Sequence, residues 1–189
     1  MEHGKLFIEE HPDVGDFFER LLIHRELDDW YREKCAEEAK VPEELYCMEP
    51  FKNVELRNRM YPSFDIYLFL KPRRGEEGFY LQEQISLKVS KLLPVYIMDF
   101  SYSLRHHLIE GTYEMTGTPE SLELIQGSNQ IHKIMSAHGY TELSYLYDFY
   151  DTVYEWDKLS ELSPFNRRLT LGDAVFTDVL ELCESTEGN

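Results

Sequence analysis

Two aspartates lie in apolar segments of the sequence, where a carboxylate needs either a partner or a chemical role. Asp65 lies within residues 64–70 and Asp99 within residues 95–100, and the pattern of both segments predicts strands. Side chains alternate along a strand, so both carboxylates point to one sheet face if the strands are neighbours. Such a pair can hold Mg²⁺ or Mn²⁺ for phosphoester chemistry. The alternative is that each aspartate caps backbone near a strand end.

A second group with metal-binding residue types is His106, His107 and Glu110. If this segment is helical, His106 and Glu110 share a face and offer a nitrogen and an oxygen to a divalent cation. Pairs of this kind also arise by chance in a chain with seven histidines and 36 acidic residues. The ordinary interpretation is a partly exposed histidine pair near a strand end. We therefore expect no cofactor and no metal, and keep both groups as alternatives.

Sequence signatures of common enzyme classes are absent. The chain has no phosphate-binding loop, dinucleotide fingerprint, nucleophile elbow or zinc-protease helix. Its three cysteines, Cys35, Cys47 and Cys183, lack the C-x-x-C spacing and are expected to be reduced, partly buried thiols. These observations favour a protein without catalytic activity.

Residues 140–156 combine tyrosines with acidic side chains. On a helix, Leu146, Phe149, Val153 and Trp156 form one arc that can face a core. The same helix then leaves a partly exposed, acidic and tyrosine-rich face, which consists of Tyr147, Tyr150, Asp151, Tyr154 and Glu155. Tyrosine is enriched at binding hot spots, and a neighbouring carboxylate can pair with Arg or Lys of a partner. The alternative is a centrally packed helix whose tyrosine hydroxyls reach solvent only at its margin.

The net charge points in the same direction as these tyrosines. The chain has 189 residues with 36 acidic and 19 basic side chains, a formal charge of −17. Residues 1–95 have a net charge of −6 and residues 96–189 a net charge of −11. This field repels nucleic acid and anionic membranes and attracts basic proteins, although an acidic surface also serves solubility alone.

The function predicted from these features is a non-catalytic cytoplasmic protein-binding module of the inhibitor or immunity type. Its acidic, tyrosine-rich face would sequester a basic partner, namely a toxin, nuclease or regulator. A metal-dependent phosphoester hydrolase is the first alternative. The second is a small-molecule sensor with an aromatic pocket lined by Tyr96, Tyr102 and the tyrosines of residues 140–156.

The elements that must position these residues follow from periodicity and from turn residues. Residues 42–62, which contain three prolines, predict loop with a short helix at 43–48. Residues 79–93 fit both a helix and a strand, and helix is chosen. The remaining predicted elements are helices at 13–39, 119–138, 142–162 and 171–183 and strands at 64–70 and 95–104.

The predicted fold is a single α+β domain over residues 1–189, with a flexible tail at 185–189. A small sheet, with strands near 64–70 and 95–103, packs against four to five helices. The longest apolar run, residues 92–98, is far shorter than the roughly 20 residues of a membrane-spanning helix. We expect a cytoplasmic protein that binds neither membrane nor nucleic acid.

Overall fold

The computed structural model describes residues 7–144, 152–154 and 169–183. A π-helical turn at Glu19–Ile23 and 3₁₀ turns at Glu43–Cys47 and Glu76–Gly78 accompany the α-helices and strands. The α-helices of these residues are α1 Phe7–Glu10, α2 Pro12–Phe18, α3 Asp28–Ala36, α4 Leu122–Ala137 and α5 Leu171–Phe176. The strands are β1 Phe51–Arg57, β2 Ser63–Leu70, β3 Arg73–Arg74, β4 Tyr80–Ser90, β5 Val95–Arg105, β6 Tyr113–Gly117, β7 Thr141–Glu142, β8 Thr152–Tyr154 and β9 Leu169–Thr170.

Seven of these strands form one mostly antiparallel sheet in the order β1-β2-β4-β5-β6. The short β3 pairs with the start of β4, and β7 pairs in parallel with the start of β5. Strands β8 and β9 form a separate antiparallel pair. The two long strands β4 and β5 are therefore the centre of the sheet, and β1 and β6 lie towards opposite edges.

Side-chain alternation along β4 gives the sheet two different faces. Ile85, Leu87 and Val89 are fully buried, whereas Ser86 and Lys88 between them are half-buried. The register places Ile85 opposite Leu68 of β2 and Phe100 of β5 on the same face. We call the side that carries Ile85 the core face and the side that carries Lys88 the polar face.

Helix α4 packs on the core face. Its buried positions are spaced as on one side of a helix, and Gly127 lies against Phe51 and Ile85. Ile131 and Met135 of α4 belong to the same hydrophobic cluster as Ile66 and Leu68 of β2.

A second hydrophobic cluster joins the amino-terminal helices to α5 near the connection from β4 to β5. It includes Phe18, Tyr31 and Leu92 together with residues of α5. Two serines of the sheet attach α5 directly, because Ser63 Oγ donates to Phe176 O and Ser90 Oγ donates to Val175 O, both at 2.9 Å. Residues from both ends of the chain thus pack together here.

The predicted fold class is wrong in its balance of helix and strand. The sheet has seven strands rather than a few, and only α2, α3 and α4 reach seven residues among the described parts of the chain. The helix predicted at 79–93 is β4, which pairs on both sides and buries every second residue. Strands β1 and β6, which the sequence analysis did not predict, complete the sheet.

Other predicted elements differ in their limits. The strands at 64–70 and 95–104 are confirmed, and so is the short helix at 43–48 as a 3₁₀ turn. The helix predicted at 13–39 is interrupted between the π turn and α3, where Arg25 has a φ of 55°. The helix predicted at 171–183 begins with the capping box between Thr170 and Asp173 that the sequence indicated, but it ends at residue 176.

The helix predicted at 119–138 is confirmed as α4, although its N-cap is Ser121 rather than Thr118. The helix predicted at 142–162 is wrong at residues 152–154, which form strand β8. The other positions of this segment beyond residue 144 lie outside the described residues. The predicted tail at 185–189 also lies outside them. Within the described ranges, no helix combines the length and the apolar character needed to cross a bilayer.

The approach of α4 to Phe51 yields a stability prediction. A Cβ at Gly127 would lie 2.6 Å from Phe51 Cζ, so Gly127→Ala must displace an aromatic ring from the core. We expect a loss of about 1–3 kcal/mol in the free energy of unfolding, measured by urea denaturation, despite the higher helix propensity of alanine.

Gly15→Ala in α2 is the matched control, because its Cβ would make only an ordinary contact of 3.7 Å with Ile8. This variant should be as stable as the parent chain or slightly more stable. Equal losses in the two variants would contradict the close approach of α4.

Candidate functional site

The residues proposed from sequence as a partner-binding face fall largely outside the described part of the chain. This holds for Tyr147, Tyr150, Asp151 and Glu155. Tyr154 belongs to β8, which pairs with β9, so its backbone is extended rather than helical. The helix from which this face was derived is therefore wrong at residues 152–154. The binding role of the five residues stays a prediction.

Asp65 and Asp99 share the polar face, as expected, but their strands are not neighbours. Strand β4 lies between β2 and β5, so the two backbones are about 10 Å apart across the sheet. Lys88 of β4 is opposite Asp65, with its Nζ 3.8 Å from Asp65 Oδ1. A cation of the protein itself thus occupies the space between the two strands, and the geometry does not favour a shared Mg²⁺ or Mn²⁺ ion.

The surroundings of Asp99 oppose its ionisation. Burial raises the pKa of this carboxyl above its usual value near 3.8, and the positive charge of Lys88 offsets part of that effect. Loss of hydration disfavours a carboxylate wherever hydrogen bonds do not replace the lost water. The half-buried sheet face around Asp99 therefore disfavours the ionised form of its carboxyl group.

His106 and His107 form a cluster with Glu77 at one end of the sheet. Ligand atoms of the three side chains lie within 4.8 Å of one another. The register of β4 and β5 explains this, because Tyr80 pairs with Arg105, so the segments just beyond those residues meet. Glu110, the carboxylate proposed from sequence to act with His106, is not in the group.

The hydrogen bonds of this histidine pair define which atoms can bind an ion. His107 Nδ1 lies 2.9 Å from the carbonyl oxygen of Glu77, a distance suited to an Nδ1–H donor. That tautomer leaves His107 Nε2 with a free electron pair, the usual arrangement of a metal-binding histidine. The two imidazole rings lie 4.3 Å apart between centroids. His106 Nδ1 accepts a hydrogen bond from Leu108 N at 3.3 Å, so an ion at this cluster would have to displace that contact or use Nε2 of His106.

Strand β6 is a functional candidate that the sequence analysis missed. All five of its residues are exposed, and among the described residues it pairs with β5 alone. The register puts Tyr113 and Met115 on the core face of the sheet and Glu114 on the polar face. The signal in the sequence was a short alternation of apolar and polar residues between Gly111 and Pro119.

Two of the tyrosines proposed to line a small-molecule pocket, Tyr96 and Tyr102, make contacts that stabilise the fold. Tyr96 is fully buried, and its hydroxyl donates to Glu142 Oε2 at 3.2 Å. Burial and the charge of Glu142 raise the pKa of Tyr96. The Tyr102 hydroxyl donates to Thr118 O and accepts from Glu120 N, which fixes the turn that precedes α4. Their contacts do not support the sensor alternative.

Comparisons of the chain with protein-family models, with curated proteins and with solved structures each found no match.

The burial of Asp99 predicts a pH-dependent effect of Asp99→Asn. The folded state holds the Asp99 proton more tightly than the unfolded chain, so stability from this group is greatest at low pH and falls as pH rises through the folded pKa. We expect Asp99→Asn to be more stable than the parent at pH 7 and to lose that advantage below the ordinary carboxyl pKa. Urea denaturation from pH 3 to pH 8 measures the difference.

Asp65→Asn is the comparison on the same face. It removes the partner of Lys88, so it should not stabilise the chain at pH 7. A constant advantage of Asp99→Asn at every pH would contradict the proposed cost of ionisation.

Proposed function

We propose that this chain is a non-catalytic module that sequesters a basic protein partner, and that strand β6 receives an extended segment of that partner. The supporting observation is the exposed outer edge of β6, which pairs with β5 alone within the described ranges. An edge strand presents backbone N–H and C=O groups that a further strand can pair with. Addition of a strand is a common mode of peptide recognition.

The side chains of β6 suggest the chemistry of the added strand. Tyr113 is 54% exposed and Met115 is 39% exposed, and both project to the core face. Glu114, on the polar face, is exposed and accepts a hydrogen bond from Ser103 Oγ at 2.6 Å. A strand that alternates basic and apolar residues would set a cation beside Glu114 and apolar groups beside Tyr113 and Met115.

The charge around β6 favours a basic segment. Residues 106–132 contain four glutamates and no lysine or arginine. All four are exposed, namely Glu110, Glu114, Glu120 and Glu123. Two arginines contact this segment, because Arg73 lies 3.4 Å from Glu123 and Arg105 donates to Thr112 Oγ1 at 2.9 Å, but Glu114 on β6 itself forms no ion pair with the described Lys and Arg residues. Such a field accelerates the encounter with a basic partner and weakens as the salt concentration rises.

The acidic, tyrosine-rich residues proposed from sequence remain part of this proposal, as a second contact region for the same partner. A toxin, nuclease or regulator with a basic surface is the partner class that fits this charge. A cytoplasmic location is likewise proposed from the sequence.

A pair of synthetic peptides tests the β6 proposal. A fluorescent seven-residue peptide of alternating Lys and Val should bind in anisotropy titrations, and its affinity should fall between low and physiological salt. A Glu and Val peptide of the same length should not bind. Hydrogen exchange should show new protection of the amides at 113–117 when the Lys and Val peptide is bound.

Two charge reversals separate β6 from the general charge of the protein. Glu114→Lys should weaken binding about tenfold, since an attractive cross-strand pair becomes a repulsive one. Glu55→Lys changes the net charge equally on β1, at the other edge of the sheet, and should have little effect at physiological salt. Equal losses in both variants, or protection elsewhere than at 113–117, would overturn the assignment to β6.

Divalent-cation binding is a second candidate function, favoured by the Glu77, His106 and His107 cluster. Zinc accepts two imidazoles and one carboxylate and can keep a water molecule in the fourth position. The phosphoester hydrolase alternative would need an ion at this place, because strand β4 lies between Asp65 and Asp99.

Zinc should raise the melting temperature of the untagged chain, since a ligand that binds only the folded state stabilises it. The shift should be reversed by EDTA and lost in the His106→Ala, His107→Ala double variant. Glu110→Ala is the matched control and should keep the shift, whereas Glu77→Ala should reduce it. An undiminished shift in the double histidine variant would exclude the cluster as the zinc site.

A further inference from the structure

Two cysteines that are far apart in the sequence meet beside the second hydrophobic cluster. Cys35, in the last turn of α3, is fully buried, and Cys183 follows α5 and is half-buried. Their sulfur atoms are 2.7 Å apart although 148 positions separate them in the chain. This distance is well below the usual separation of two unbonded sulfur atoms, so the side chains already point at each other.

Asp178 holds Cys183 in this position. Its Oδ2 accepts from Cys183 N at 2.8 Å, and its Oδ1 accepts from Leu182 N at 3.2 Å. The same Oδ1 accepts from the Tyr31 hydroxyl at 3.0 Å, which ties the segment to α3. The carboxylate thus fixes the backbone beside Cys183 to the helix that carries Cys35.

The other side of the pair is fixed as well. Lys91 Nζ donates to Cys35 O at 2.7 Å and to Arg59 O at 3.0 Å. Tyr61 N also donates to Cys35 O at 3.2 Å. Both sulfurs are therefore on backbone held by contacts from separate parts of the fold.

We propose that Cys35 and Cys183 are a redox-active pair that closes to a disulfide in the folded protein. With oxidised glutathione as oxidant, the thiolate of the more accessible Cys183 attacks one glutathione sulfur, breaks the glutathione S–S bond and releases one glutathione thiolate. The Cys35 thiolate then attacks Cys183 Sγ and releases the second. The two protons of the protein thiols end on two reduced glutathiones, so the cysteines are oxidised and the glutathione disulfide is reduced.

The environment of Cys183 makes this reaction slow at neutral pH. The hydrogen bond to Cys35, burial and the charge of Asp178 all raise the pKa of the Cys183 thiol. The attacking thiolate is therefore scarce. As long as the pH stays below that pKa, the thiolate fraction grows tenfold for each unit by which the pH rises. The pair suits a bond that forms on sustained oxidation rather than a fast sensor.

Closure should stabilise the whole fold. The bond would join the amino-terminal helical region to the carboxyl-terminal segment across a long stretch of chain, and long loops lose the most unfolded-state freedom when they are closed. We expect an increase of at least about 5 °C in the melting temperature of the oxidised form.

The test compares the full chain before and after incubation with oxidised glutathione, using mass spectrometry and non-reducing peptide mapping. The folded protein should lose two hydrogen atoms and give a linked peptide pair that contains Cys35 and Cys183. Exposed Cys47 should carry glutathione instead. The rate of closure should rise about tenfold per unit between pH 7 and pH 8.

Variants and denaturant keep the proposal falsifiable. Cys47→Ser should retain closure and its thermal shift, and Cys183→Ser should lose both while still folding, because its side chain is not fully buried. In concentrated urea, glutathione adducts should replace the linked peptide, since proximity is lost. A stable glutathione adduct on Cys183 of the folded chain, with Cys35 still free to alkylate after unfolding, would overturn the proposal.

Discussion

The pairing of β4 on both of its sides supports the rest of the structure. Residues 80–90 join β2 and β5 along most of their length, and their alternation sends Ile85, Leu87 and Val89 to the core face. Every apolar residue lost from that face would leave α4 with less to pack on. The same strand keeps Asp65 of β2 and Asp99 of β5 apart, and its Lys88 Nζ lies 3.8 Å from Asp65 Oδ1 on the polar face.

The candidate sites follow from the same pairing. The β4–β5 register brings Glu77 to the histidine pair, because the chain turns away from the sheet just beyond Tyr80 and Arg105. The chain returns antiparallel after β5, so β6 is an edge strand among the described residues. The Cys35–Cys183 pair depends on the other cluster, where α3 and the segment after α5 pack together. Each site combines segments that local sequence patterns treat as independent.

Local patterns predicted some elements well and others poorly, for identifiable reasons. Helix α4 is long enough for its 3.6-residue periodicity to be distinct, and the capping box at Thr170 and Asp173 depends on neighbouring residues alone. Residues 80–90 satisfied helical and strand patterns together, so only their partners could decide. Strand β1 lies in a segment whose prolines predicted loop, and the alternation of β6 extends over only five residues, too few to distinguish a strand from a loop. The partner-binding face was derived from a helix predicted at 142–162, and residues 152–154 of that segment form strand β8 instead.

The sequence by itself determined the charge of −17 and the acidic carboxyl-terminal half, and it predicted the strands at 64–70 and 95–104 that the structure contains as β2 and β5. Composition and local alternation are properties of single segments, so no folding partner is needed to establish them. Only the tertiary structure decided that Glu77 rather than Glu110 joins His106 and His107, and that Cys35 meets Cys183. The physical reason is that strand register and helix packing set distances between remote residues, and neither is encoded in the spacing of one segment.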